Sequence, residues 1–172
     1  MNARNRFAAA LVPAALGLTV AVGVATPAHA ERPGRTFETY KDRVAMHCAF
    51  ARQWLDVGKS WFFGNSELKM QSDGNLVMYH RWTRQVLWST NTPGSGATKL
   101  RFQKDGNLVL YKADSTPVWA SRTDGKCNQF KHSPVLALQA DGNLVIYCAE
   151  LFIVPDPIDD NLKVLWATGT RS

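Results

Sequence analysis

The sequence predicts an all-β domain built from three like units, and three observations carry that prediction. A nine-residue pattern occurs three times, as QSDGNLVMY at 71–79, QKDGNLVLY at 103–111 and QADGNLVIY at 139–147. Each copy is followed by a short stretch around a tryptophan: VLWST at 86–90, PVWAS at 117–121 and VLWAT at 164–168. All six tryptophans of the 172-residue chain lie after residue 50, which places the core in the repeat region. Internal self-similarity of this kind marks a repeat architecture. A composition of 45% hydrophobic and 20% charged residues, with twelve Gly and eight Pro, suits a turn-rich globular domain. It excludes a disordered chain, a coiled coil and a collagen-like rod.

In chain order, residues 1–30 read as a secretory signal peptide. Arg4 and Arg6 form its positive start, an apolar stretch runs from Phe7 to Ala25, and Ala28-His29-Ala30 is a small-x-small cleavage site before Glu31. The apolar stretch has the length of a membrane span, so an uncleaved anchor is the alternative. Pro13, the many alanines and the cleavage site argue for removal. The cleaved chain is expected to be secreted and extracellular, with no membrane span. Residues 31–50 form an N-terminal extension in which Phe37, Tyr40, Val44 and Cys48 recur at helical spacing and predict a short helix. The repeat domain occupies 51–172.

Each repeat reads as a β-hairpin with Asp-Gly at its turn and period-two alternation on both sides. The alternation assigns faces, because a one-residue slip would invert every side chain. Leu68, Met70, Leu76 and Met78 point inward in the first copy, Leu100, Phe102, Leu108 and Leu110 in the second, and Leu136, Leu138, Leu144 and Ile146 in the third. The tryptophan strand adds Trp88, Trp119 and Trp166 as structural core. Three small antiparallel sheets in three-fold arrangement would bring them to a common axis.

The outward positions are the same residues three times. They are Gln71, Asp73, Asn75, Val77 and Tyr79; Gln103, Asp105, Asn107, Val109 and Tyr111; and Gln139, Asp141, Asn143, Val145 and Tyr147. Turn chemistry accounts for Asp-Gly-Asn, but not for Gln, an outward Val and Tyr. Together they present amide donors and acceptors, a carboxylate, a phenol and one apolar spot. A pyranose offers the complement, with adjacent hydroxyls and a C–H face. These are the candidate carbohydrate-binding residues.

The triplicate Q-x-D-x-N-x-V-x-Y motif, each copy followed by a tryptophan strand, resembles the bulb-type (monocot) mannose-binding lectin family over about residues 51–171. Leu55, Gly58 and Gly64 also fall where that family's first repeat begins. The resemblance implies a β-prism II fold, three four-stranded antiparallel sheets with pseudo-three-fold symmetry. It implies that Asp and Asn bind the axial O2 of mannose, Gln the O3 and Tyr the O4, while Val packs on the sugar carbons. The implied partner is a mannose-containing glycan or polysaccharide. Plant relatives exchange a C-terminal strand between subunits, which leaves a homodimer open here.

The third repeat departs from its sisters by two insertions, which should emerge together at the base of its hairpin, opposite the turn. Cys127 lies in the first and Cys148 opens the second, AELFIVPDPIDDN at 149–161. Export permits disulfides, and of three cysteines at most two can pair internally. Cys127–Cys148 is the expected bridge and Cys48–Cys148 the alternative. Asp156, Asp159 and Asp160 lack the spacing of a calcium loop and read as a solvated loop. Leu151-Phe152-Ile153-Val154 is placed to cover the third site or to dock a partner.

Other chemistries find no support. His47, His80 and His132 fall in no catalytic or metal-binding spacing, and HExxH, CxxC pairs, GxSxG and phosphate-binding loops are missing from the sequence. One like carboxylate per repeat does not make the unlike pair that glycoside hydrolysis needs. The expectation is no enzyme, no cofactor and no metal. The net charge of +6 is spread rather than striped with aromatics, which argues against nucleic acid. A lectin-like antibacterial toxin or an adhesion module that uses glycan binding for docking remains the second class.

Overall fold

The computed structural model describes residues 36–41, 44–50, 52–128, 130, 132–150 and 162–170. Residues 1–30, read above as a signal peptide, and the 151–161 segment, with its acidic cluster and Leu151-Phe152-Ile153-Val154, lie outside the described residues.

Thirteen strands follow one another: β1 Thr36–Lys41, β2 Val44–Phe50, β3 Gln53–Asp56, β4 Ser60–Phe63, β5 Ser66–Met70, β6 Leu76–His80, β7 Val86–Ser89, β8 Ala97–Phe102, β9 Leu108–Lys112, β10 Pro117–Ala120, β11 His132–Gln139, β12 Leu144–Glu150 and β13 Lys163–Ala167. They form three antiparallel sheets, one per repeat. The first repeat gives β4-β5-β6-β7, the second β3-β8-β9-β10, and the third β1-β2-β11-β12-β13. The consecutive strands β2, β3 and β4 thus each join a different sheet, and each lies beside the first strand of a repeat hairpin. That peeling off ties the three sheets together at the start of the domain.

Two expectations are corrected here. The helix predicted from Phe37, Tyr40, Val44 and Cys48 is instead the β1–β2 hairpin, in which Phe37 pairs with Cys48 and Tyr40 with Ala45. The same correction makes the third sheet five-stranded rather than four-stranded. The physical reason lies outside the segment. Without β2, the β11 edge would keep a row of unpaired backbone donors and acceptors. β2 pairs with it from Phe50↔Val135 to Met46↔Gln139, and that non-local pairing overrides a local helical period.

Every inward side chain named from the alternation is buried in one core cluster. Trp88, Trp119 and Trp166 are partly buried against it and meet one another edge to face, with ring centres 5.8, 5.7 and 5.9 Å apart. Such aromatic pairs add about 0.5–1.5 kcal/mol each beyond the area they bury. The pairing of each tryptophan strand with its repeat strand shifts register at the same place, at Met78/Tyr79 on β6, Pro117/Trp119 on β10 and Ile146/Tyr147 on β12. A bulge there re-aims the strand, and period-two reading gave no sign of it. Cys127 and Cys148 are bridged, with Cα atoms 5.4 Å apart, at the base of the β11–β12 hairpin.

Candidate functional site

At each hairpin turn the chain runs Gln-x-Asp-Gly-Asn. Gln71 N–H donates to Asn75 O at 2.9 Å and Gly74 N–H to Gln71 O at 3.2 Å, and the other two turns repeat both bonds. The glycine is required. Gly74, Gly106 and Gly142 have φ of 88, 90 and 84°, and a Cβ on Gly74 would stand 2.7 Å from Ser95 Oγ. The Asp side chain caps the turn, accepting from the Asn N–H at 2.9 Å for Asp73, 2.9 Å for Asp105 and 3.1 Å for Asp141.

The Asn side chain is held by a device the repeat motif did not reveal. Asn75 Oδ1 accepts from Thr90 Oγ1 at 3.0 Å and from Thr92 N–H at 3.1 Å. Asn107 Oδ1 accepts from Ser121 Oγ at 3.0 Å and Thr123 N–H at 3.3 Å. Asn143 Oδ1 accepts from Thr168 Oγ1 at 2.8 Å and Gly169 N–H at 3.1 Å. A hydroxyl-x-Thr step follows each tryptophan strand, at 90–92, 121–123 and 168–170. Its middle residue is left-handed each time, with φ of 54° at Asn91, 57° at Arg122 and 71° at Gly169. That conformation brings the two hydroxyls together at the turn. The signal was present in the sequence, as a threefold Ser/Thr-x-Thr.

Gln and Tyr, which turn chemistry left unexplained, bond to each other. Gln71 Nε2 donates to Tyr79 Oη at 2.6 Å, Gln103 Nε2 to Tyr111 Oη at 2.6 Å, and Gln139 Nε2 to Tyr147 Oη at 2.9 Å. In the first two copies each polar group therefore spends one atom inside the fold. Among the described residues Asn Nδ2 and Asp Oδ2 keep no protein partner there, and the Tyr hydroxyl still has its proton to donate. Val77 and Val109 form a covered apolar floor between them.

The third constellation has the same bonds in different surroundings. Gln139 is 6% exposed and Tyr147 4%, whereas Gln71, Tyr79, Gln103 and Tyr111 are half-buried. Outward positions held by Glu67 and Lys69, or by Lys99 and Arg101, are Val135 and Ala137 here. These cluster with Val145 and Tyr147, and Ala149 and Leu162 pack on them. An apolar cluster thus stands at the Gln–Tyr end, which is half-buried in the other two.

Beside the first constellation, Glu67 accepts from Ser60 Oγ at 2.8 Å and from Arg84. Burial raises the Glu67 pKa, but hydrogen bonds from Arg84 and Ser60 and the charges of Arg84 and Lys69 outweigh it, leaving the carboxyl below its ordinary value. The Arg84 guanidinium lies 4.6 Å from the Tyr79 ring centre. Among the described residues no group of three or more His, Cys, Asp or Glu could hold a metal ion.

No family model and no curated protein sequence matches the chain. Solved structures do. A monomeric monocot mannose-binding lectin from Gastrodia elata is 33% identical, with a TM-score of 0.56, and the alignment covers 73% of this chain and 98% of that one. The mannose-specific agglutinin from snowdrop (Galanthus nivalis) bulbs, complexed with methyl-α-D-mannoside, is 33% identical at a TM-score of 0.55, covering 65% and 98%. A Marasmius oreades lectin is 28% identical at a TM-score of 0.56, covering 72% and 90%.

Proposed function

The chain belongs to the bulb-type (monocot) mannose-binding lectin family, and from that premise we propose that it is a secreted, non-enzymatic lectin for mannose-type glycans on a pseudo-three-fold β-prism II scaffold. One observation carries the reading. In the first two repeats Gln, Asp, Asn and Tyr are fixed by internal bonds and keep a second polar atom for a ligand. Asp73 and Asn75, and likewise Asp105 and Asn107, offer an acceptor and a donor side by side, the pair an axial hydroxyl uses in both its roles. Gln and Tyr serve the next two hydroxyls, and Val77 or Val109 lies under the sugar carbons.

Each such hydrogen bond contributes about 0.5–1.5 kcal/mol net, so a single sugar is held at roughly millimolar strength. The natural ligand is then a polyvalent glycan. The third constellation, with Gln139 and Tyr147 buried, takes no sugar. A toxin or adhesion module that docks through the same sites is the second reading, and killing of bacterial cells by purified protein would distinguish it.

Calorimetric titration with α-methyl mannoside tests the proposal, with the glucoside as control for the axial hydroxyl. Two weak sites are expected. Asn75→Ala and Asn107→Ala each remove one of them, while Asn143→Ala leaves both. No heat with either mannoside or branched mannan would refute the lectin reading, and three equal sites would refute the closure of the third.

A further inference from the structure

The β6–β7 loop of the first repeat carries a surface that the second repeat lacks. It reads Arg-Trp-Thr-Arg-Gln at 81–85, where the β9–β10 loop reads Ala-Asp-Ser-Thr at 113–116. Both loops share a frame. His80 N–H donates to Gln85 O at 2.8 Å and Lys112 N–H to Thr116 O at 2.9 Å, with Arg84 and Ser115 left-handed at φ 60 and 68°. Gln85 N–H donates to Thr83 Oγ1 at 3.4 Å as Thr116 N–H does to Asp114 Oδ1 at 2.9 Å, and the first loop adds Thr83 N–H to His80 Nδ1 at 3.2 Å.

On this braced loop Trp82 is 69% exposed, and Phe62 of β4 is 51% exposed. The Arg81 guanidinium bridges them, 4.8 Å from the Trp82 ring centre and 5.1 Å from that of Phe62. Trp82 Nε1–H donates to Asn65 Oδ1 at 3.2 Å. Core packing does not explain an indole held in one orientation while most of its surface faces water. Nor is it a scattered apolar residue, because two aromatics and a cation form one patch.

The patch is continuous with the first constellation. Phe62 pairs with Glu67 and Glu67 with Tyr79, so all three share the outward face. From Tyr79 to Phe62 is two strand spacings, roughly 10 Å. Arg84, bound to Glu67 and stacked on Tyr79, lies along this path. An aromatic face accepts the C–H face of a pyranose, and a guanidinium donates to its hydroxyls. Among the described residues no carboxylate pairs with Arg81, and the braced loop has little freedom left to lose on binding.

We propose that Trp82, Phe62 and Arg81 form a second subsite, taking a further pyranose unit of a mannose-containing oligosaccharide whose terminal mannose sits at Gln71, Asp73, Asn75 and Tyr79. The inference rests on the lectin reading above. The test uses the intact protein carrying Asn107→Ala, so that only the first site reports, titrated with α-methyl mannoside and with a linear mannotriose. The triose should bind more tightly than the monosaccharide. Trp82→Ala should lower triose affinity roughly tenfold, a loss of about 1.4 kcal/mol, confined to the triose, and Trp82→Phe should restore most of it. Equal affinity for both sugars, or a Trp82→Ala effect that is nil or the same for both, overturns the subsite alone. Failure of the unmutated protein to bind either sugar overturns the lectin reading and the subsite with it.

Discussion

Asn75 is held through one end of its amide: its carbonyl is tied to Thr90 and Thr92, which fixes the direction of the amino group that the proposed mannose site uses. The orientation is thus a property of residues fifteen and more positions away. Thr90 Oγ1 also accepts the buried Leu76 N–H at 3.1 Å. Thr90→Val keeps the shape but strands that donor, at a cost of about 1–3 kcal/mol. It also frees Asn75 Oδ1 to rotate. The expected outcome is a lower melting temperature together with loss of mannoside heat at the first site and full retention at the second. A variant that melts earlier but titrates normally would show that Thr90 serves folding alone.

At the scale of elements, what the sequence made legible was whatever depends on local period. Hairpin faces, turns and inward residues such as Leu100 and Phe102 follow from alternation, because a pleat fixes side-chain direction two residues at a time. The β1–β2 hairpin was not legible, since its reason for existing is the open edge of β11, more than eighty residues away. The burial of the third constellation's Gln–Tyr end was half legible. PVLALQ at 134–139 replaces the charges of SELKMQ at 66–71 and TKLRFQ at 98–103. That flank lies outside the threefold motif. The disulfide was predicted as one of two pairings, and its place at the hairpin base decides the energetics. It closes a 21-residue separation, for which chain entropy gives about 3 kcal/mol. Replacing Cys127 and Cys148 together by Ser should lower stability by about that amount in urea unfolding. Mannoside titration at the first site should be unchanged, because neither that constellation nor the Thr90–Thr92 step that holds it lies on the bridged sheet or beside Cys127.

For the whole molecule, the question is how weak sites make a useful binder. The first two constellations lie on different sheets, and β2 supplies the strand beside β11 from the same chain, so the third sheet is completed without a strand from a second copy. On the proposed reading, two-fold valency then belongs to a single chain. Linked sites can exceed either affinity by about 10²–10⁴ when one ligand spans them, and two sites on separate sheets can cross-link a branched polymer. The intact protein should therefore precipitate branched mannan. Asn107→Ala should keep first-site mannoside affinity and lose precipitation, because one site per chain cannot bridge. Light scattering during mannan titration separates the outcomes. Continued precipitation by the single-site variant would mean that copies associate and that valency arises between chains. Sedimentation of the unliganded protein would then show a dimer instead of the monomer that a self-completed third sheet predicts.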